Sequence, residues 1–147
     1  MSTTNFPHGI IIDRFGTSNL DGEKYIAGER FVVQFPQIAA ADVAKTFFTA
    51  PHDCKVVNAW ERHVTVAGQA GTLQVEKVGT GVAVGSGSVV LATAFDLVST
   101  ANVPVKSTAL TTAAATLIAG DTLALKLASG AATSYALGSL TVTMEWI

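Results

Sequence analysis

The stretch LQVEKVGTGVAVGSGSVVLATAFDLVSTANVPVKSTALTTAAATLIAGDTLALKL, residues 73–127, decides the fold of this chain. Short runs in which apolar and polar residues alternate are separated by Gly, Ser, Thr, Ala and Asn. This period of two is typical of β-strands with one buried face. Only six side chains of the stretch carry charge, and it contains no His and no Cys. The stretch therefore favours a structural or binding protein over an enzyme.

The same alternation continues on both sides of this stretch and predicts about eight short strands with no long helix. The predicted strands are Arg30–Phe35 (which Pro36 ends), Ala44–Ala50, Cys54–Gly68, Thr72–Val78, Ser88–Leu97, Val103–Thr111, Thr122–Leu127 and Leu140–Ile147. We expect an all-β fold over residues 30–147, an antiparallel β-sandwich of jelly-roll type, with a single barrel as the alternative.

Two of these strands carry specific expectations about their faces. Polar and apolar residues mix on both faces of Cys54–Gly68, which predicts a bend or bulge near Asn58–Glu61. In Thr72–Val78 the alternation points Leu73 inward and Glu76 outward.

The composition limits the classes of partner. Charged residues make up 14% of the 147 residues, against roughly 25% in a typical soluble domain. Either copies of the chain or a partner cover much of its surface, or the surface is a Thr/Ser/Gly-rich β-face that is polar without charge. The net charge of −2 comes without a basic cluster, so no nucleic-acid partner is expected. No long apolar run or signal peptide is present, so no membrane partner is expected either.

Residues 1–29 differ from the rest and predict an extended N-terminal arm. Three isoleucines, Ile10–Ile12, stand between Gly9 and Asp13 and form a short apolar segment. A single edge strand is the alternative.

No residue pattern predicts a metal site or a nucleophile. The candidate metal ligands are His8, His52, Asp53, Cys54 and His63. His52, Asp53 and Cys54 are adjacent, so their side chains point in different directions and do not converge on one ion. A Cys54–His52 pair lacks a third, orienting group, and a buried, inert Cys54 is favoured. A lone Cys forms no intramolecular disulfide, and it fits a cytoplasmic assembly site.

Other candidates also lack a complete site. Four carboxylates, Glu61, Glu76, Asp96 and Asp121, fall on separate strands or turns and are expected to be solvated. The loop GTGVAVGSG, residues 79–87, lacks the Lys-Ser/Thr ending of a phosphate loop. Trp60 and Trp146 are candidates for stacking on a sugar ring, but their apolar-face positions favour core packing. We therefore expect no catalytic residues, no cofactor and no metal.

The C-terminal half of the chain resembles small structural proteins of tailed bacteriophages. An LQVEK strand leads into a Gly-rich loop, a LATAFDL segment, a TAN triplet and an AGDTLALKL strand. The matching residues are Leu73–Lys77, Leu91–Leu97, Thr100–Asn102 and Ala119–Leu127. Such proteins are similar to capsid decoration (cement) proteins and to head-fibre or tail-associated β-domains.

This resemblance implies a non-enzymatic virion protein on the capsid exterior. Its partner would be the major capsid protein, and its expected state is a homotrimer. An arm that becomes ordered on the shell gains contact area by burying apolar groups. The expected capsid contacts are Phe6, Ile10, Ile11, Ile12, Arg14, Phe15 and Tyr25. A carbohydrate- or receptor-binding β-module of a head fibre or tail is the alternative function, which an exposed Trp60 or Trp146 would favour.

Overall fold

The computed structural model describes residues 27–67, 71–128, 136 and 138–147. Within these ranges the chain forms ten β-strands and one short helix. The strands are β1 Arg30–Ile38, β2 Ala44–Thr49, β3 Cys54–Arg62, β4 Thr72–Val78, β5 Ser88–Val89, β6 Phe95–Asp96, β7 Val105–Lys106, β8 Thr116–Leu117, β9 Thr122–Leu127 and β10 Gly138–Trp146, and the helix α1 is Thr112–Ala115. Of the arm predicted for residues 1–29, residues 1–26 lie outside the described part of the chain.

The strands form two five-stranded sheets in which every pair is antiparallel. Sheet I has the order β1-β10-β3-β7, with β8 also paired to β3. Sheet II has the order β2-β9-β4-β5, with β6 also paired to β4. The predicted antiparallel β-sandwich of jelly-roll type is confirmed.

The core lies between the two sheets and comes mainly from their central strands. Sheet II contributes Leu73, Leu123 and Leu125, and sheet I contributes Leu140, Val142 and Met144, all with 0% of their surface exposed. Alternate positions of β9 and β10 therefore face inward, as the sequence predicts. Burying each such side chain stabilises the fold by about 1.5–3 kcal/mol.

A bulge in β3 changes which side chains face the core. Thr143 pairs with Asn58 and the next residue, Met144, pairs with Val56, so β3 has one extra residue at Val57. The predicted irregularity is therefore present, one residue before the expected range. Beyond the bulge, Glu61 turns inward and Trp60 turns outward, because one extra residue exchanges the two faces of a strand.

The predicted end of β1 at Pro36 is wrong, since the strand continues to Ile38. β1 lies at the edge of sheet I, where a missing N–H donor is tolerated. The register with β10 shifts between Phe35 and Ile38, and Gln37 takes a left-handed φ of 57° within this irregularity.

The predicted strands Ser88–Leu97 and Val103–Thr111 form only short pairings. Between β5 and β6, the side chain of Gln74 occupies the place of a strand neighbour. Its Nε2 donates to the carbonyl oxygen of Leu91 at 3.0 Å, and its Oε1 accepts the N–H of Leu91 at 3.0 Å. A side-chain amide thus satisfies backbone groups that a longer strand would have paired.

Candidate functional site

The residues predicted to contact a capsid lie outside the described part of the chain. They are Phe6, Ile10, Ile11, Ile12, Arg14, Phe15 and Tyr25. His8, one of the candidate metal ligands, also lies there. The other candidates are described, and their geometry decides what each does.

A buried carboxylate fastens the Gly-rich loop 79–87 over the outer face of sheet II. Glu76 points away from the core, as predicted, but it is 0% exposed, so the expectation that it is solvated is wrong. One of its oxygens accepts the N–H of Gly85, and the other accepts the N–H of Gly87 at 3.1 Å. Lys126 Nζ donates to the carbonyl oxygen of Gly85 at 2.7 Å. Glu76 therefore holds the loop in place, and its own burial is compensated by backbone donors.

A buried pair, Glu61 and His63, ties the end of β3 to the segment 97–103. His63 Nδ1 lies 3.0 and 3.1 Å from the two carboxylate oxygens of Glu61. His63 Nε2 lies 2.9 Å from the carbonyl oxygen of Ser99. Because a carbonyl oxygen only accepts, Nε2 is the donor in the contact with Ser99. The pair is at most 1% exposed, so its role is to hold backbone together.

The remaining candidate carboxylates, Asp121 in a turn and Asp96 at the end of β6, each cap a nearby backbone N–H. Asp121 is 9% exposed, and its Oδ2 accepts the N–H of Ile118 at 3.1 Å. Asp96 is exposed, and its Oδ1 accepts the N–H of Val98 at 2.9 Å. Of the four carboxylates that the sequence analysis expected to be solvated, only Asp96 is exposed. The other three are buried and hydrogen-bonded, so they do not form an open acid–base pair for glycoside hydrolysis.

Cys54 is buried and free at the start of β3, as the sequence predicts. Burial, and then the negative charges of Asp53 and Asp121, raise the pKa of the thiol to about 11. Because the thiolate is the nucleophile, this environment makes Cys54 unreactive. The neighbouring Asp53 instead accepts the N–H of Ala119 at 2.9 Å and closes the turn before β9.

The described ranges contain no group of three or more His, Cys, Asp or Glu residues able to hold a metal ion. No helix in these ranges is long and apolar enough to cross a membrane.

Four exposed valines gather at the end of the sandwich where β3 finishes. Val64, Val66, Val98 and Val103, which we call the valine cluster, are 37–44% exposed. The two segments that carry them are joined by backbone hydrogen bonds. The N–H of Ala67 donates to the carbonyl oxygen of Leu97 at 2.9 Å, and the N–H of Asn102 donates to the carbonyl oxygen of His63 at 2.7 Å. The valine cluster thus lies on two segments that backbone hydrogen bonds hold side by side, and the sequence analysis did not single it out.

The two tryptophans have different environments. Trp146 packs against the core and stacks on Phe31, with ring centroids 4.1 Å apart, so core packing is confirmed for it. Trp60 is 40% exposed on the outer face of sheet I, so the same expectation is wrong for Trp60. The β3 bulge is the reason, because it turns Trp60 outward.

Neither the protein-family models nor the curated proteins match the sequence. Among solved structures, the chain is similar to a chain of the cyanophage Pam1 capsid asymmetric unit, with a TM-score of 0.51 and 16% identity over 100% of both chains. The subviral-particle VP2 of infectious bursal disease virus gives a TM-score of 0.39 and 17% identity, over 88% of this chain and 37% of that chain. The first similarity shows a shared fold.

Proposed function

We propose that this chain is a bacteriophage capsid decoration (cement) protein. It binds the outer face of the assembled icosahedral shell and bridges capsid subunits. The observation that carries the proposal is the shared fold with a chain of a cyanophage capsid asymmetric unit. The buried and hydrogen-bonded carboxylates also support a non-enzymatic role.

The mechanism is stabilisation by selective binding. A protein that binds the assembled shell and not the free subunits shifts the equilibrium towards the assembled state. The partner is the major capsid protein, and the place of action is the exterior of the virion after assembly in the host cytoplasm. Neither nucleic acid nor membrane takes part.

The arm supplies the contact with the shell in this proposal. Phe6, Ile10–Ile12, Phe15 and Tyr25 give it apolar groups to bury, and Arg14 gives it one charge that can pair with a capsid carboxylate. The body forms a homotrimer, and the valine cluster supports this because an exposed apolar surface gains free energy when a second copy covers it.

Deletion of residues 1–20 tests the role of the arm. We expect the truncated chain to keep its β-sheet circular dichroism and to lose co-sedimentation with undecorated shells. The matched control replaces Ser2, Thr3 and Thr4 with alanine in the full-length chain, which keeps every predicted contact and should bind normally. Full-affinity binding by the truncated chain would overturn the arm proposal.

Gold-labelled antibody on intact particles tests the location. Label spread over the whole head is expected. Label confined to one vertex or to the tail would rule out decoration of the shell.

A further inference from the structure

Trp60 lies on the outer face of sheet I, one strand in from the edge and near the end of β3. In sheet I, β3 has β10 on one side and β7 on the other. The indole side chain of Trp60 is 40% exposed on the outer face. A large aromatic ring exposed on the outer face of a sheet gives a platform on which an apolar face of a ligand can stack.

Polar side chains continue the platform in one row across four strands. Trp60 pairs with Lys106 on β7 and with Thr141 on β10, and Thr141 pairs with Gln34 on β1. Gln34 Nε2 lies 3.4 Å from Thr141 Oγ1, so an amide and a hydroxyl stand beside each other in this row. With neighbouring strands about 4.8 Å apart, the row spans about 14 Å. This row, with Lys106 and the indole on one half and the hydroxyl and amide of Thr141 and Gln34 on the other, suits a short oligosaccharide.

Two cations share the outer face of sheet I with Trp60, and neither has a carboxylate partner among the described residues. Lys106 Nζ lies over the face of the Trp60 ring, 5.8 Å from its centroid, so this lysine must swing aside for a sugar ring to stack there. Arg62 follows two residues after Trp60 on the same face, and its Nε donates to the carbonyl oxygen of Asn102 at 3.4 Å. Among the described residues, the ion pairs are formed by Arg30, Lys45, Lys55 and His63, and not by Lys106 or Arg62. The charge near Trp60 therefore complements an anion.

We infer that the outer face of sheet I around Trp60 binds an acidic saccharide, one that bears a carboxylate or a phosphate. The sugar ring stacks on Trp60, its hydroxyls bond to Thr141 and Gln34, and its acidic group contacts Lys106 and Arg62. This site is independent of the arm and of shell binding.

Titration calorimetry of the full-length chain tests the inference with three matched probes. They are a mannuronate hexamer, a phosphorylated mannohexaose and neutral mannohexaose. We expect at least one acidic probe to bind about tenfold or more tightly than the neutral one. Whichever acidic probe binds identifies the acidic group. Raising the salt to about 0.5 M should weaken this binding, because exposed charges are screened.

Variants of exposed residues locate the site. Trp60→Ala should weaken binding of the acidic probe about tenfold, and Lys106→Gln and Arg62→Gln about fivefold each. Lys45→Gln is the matched control, since it removes the same charge from sheet II, and it should bind as the unchanged chain does. Thermal melting followed by circular dichroism checks that every variant is folded.

Four results would overturn the inference: no binding of either acidic probe at millimolar concentration, equal binding of the neutral probe, an equal loss in Lys45→Gln, or unchanged binding in Trp60→Ala. Tighter binding of oligothymidylate than of both acidic sugars would also overturn it, because base stacking would then explain the exposed indole.

Discussion

Burial controls the chemistry of the thiol of Cys54. Its pKa is raised to about 11, so the folded chain holds the thiol proton more tightly than the unfolded chain does. Stability should therefore be unaffected below the ordinary thiol pKa of about 8.5, and should fall as the pH rises from there towards about 11. Denaturant unfolding of the wild type and of Cys54→Ala across this pH range measures the effect. The free energy of unfolding of Cys54→Ala should lack the decrease that the thiol causes in the wild type.

Thiol labelling gives a second measurement of the same prediction. Cys54 is the only cysteine in the chain, so a thiol reagent reports on it alone. The folded chain should react slowly at about pH 8 and the denatured chain rapidly. Fast labelling of the folded chain would contradict both the burial and the raised pKa.

The buried Glu76 carboxylate predicts a large effect of a nearly isosteric change. In Glu76→Gln, an amide NH₂ replaces one of the two oxygens that accept the N–H groups of Gly85 and Gly87. We expect a loss of about 2–3 kcal/mol in the free energy of unfolding, because a buried donor then faces another donor. Chemical denaturation measures this loss.

The matched control for Glu76→Gln is Glu29→Gln, which removes the same charge from an exposed position. Its expected effect is within about 0.5 kcal/mol. Equal losses in the two variants would mean that Glu76 does not fasten the loop.

Among the larger elements, the loop 79–87 depends on a close approach of two backbones. A Cβ at Gly87 would overlap the carbonyl oxygen of Lys77 and lie 3.0 Å from its carbonyl carbon. Gly87→Ala should cost about 3 kcal/mol, because backbone on β4 would have to move. Gly81→Ala is the control from the same loop: its φ is 80°, but a Cβ there meets nothing within 4 Å. That change should cost about 1 kcal/mol, from backbone strain alone. Denaturant unfolding measures the loss of stability in each variant. Similar losses in Gly87→Ala and Gly81→Ala would contradict the close approach of Gly87 to the backbone of Lys77.

The strands show how far alternation predicts structure. Leu123 and Leu125 in β9 and Val142 in β10 face the core as predicted, because these strands have no irregularity. The apolar-face position of Trp60 favoured core packing, and Glu61 was expected to be a solvated carboxylate; both expectations are wrong. A bulge was expected in this strand, but the pattern did not fix its position, and a shift of one residue exchanges the faces.

The candidate site was harder to predict than the strands. Alternation correctly points Glu76 away from the core, but it carries no information about which distant segment covers that face. The burial of Glu76 depends on the path of loop 79–87, and the burial of His63 depends on the segment that contains Ser99. Both are tertiary contacts between segments that are separate in the sequence, so the local pattern of apolar and polar residues does not reveal them. The predicted arm contacts, such as Phe6 and Ile11, remain predictions.

For the whole molecule, the low share of charged residues has two sources. The outer face of sheet I presents uncharged polar residues such as Thr141, Thr143 and Gln34, so the Thr-rich β-surface that the composition allowed is present there beside charged residues such as Lys106 and Glu145. The end of the sandwich presents the valine cluster, which is apolar and lies on two segments joined by backbone hydrogen bonds. A polar surface without charge needs no partner, but a cluster of exposed valines is the kind of surface that copies of a chain cover.

The valine cluster therefore predicts the oligomeric state. If it lies between copies in the proposed homotrimer, Val98→Asp should convert trimers to folded monomers, because an unpaired carboxylate would be buried at the contact. Ile118→Asp is the matched control, since Ile118 is 61% exposed near the opposite end of β3 and should leave the trimer intact. Light scattering coupled to size-exclusion chromatography measures the mass of each species. A monomeric wild type, or a trimer that persists in Val98→Asp, would show that this end of the sandwich is not the contact between copies.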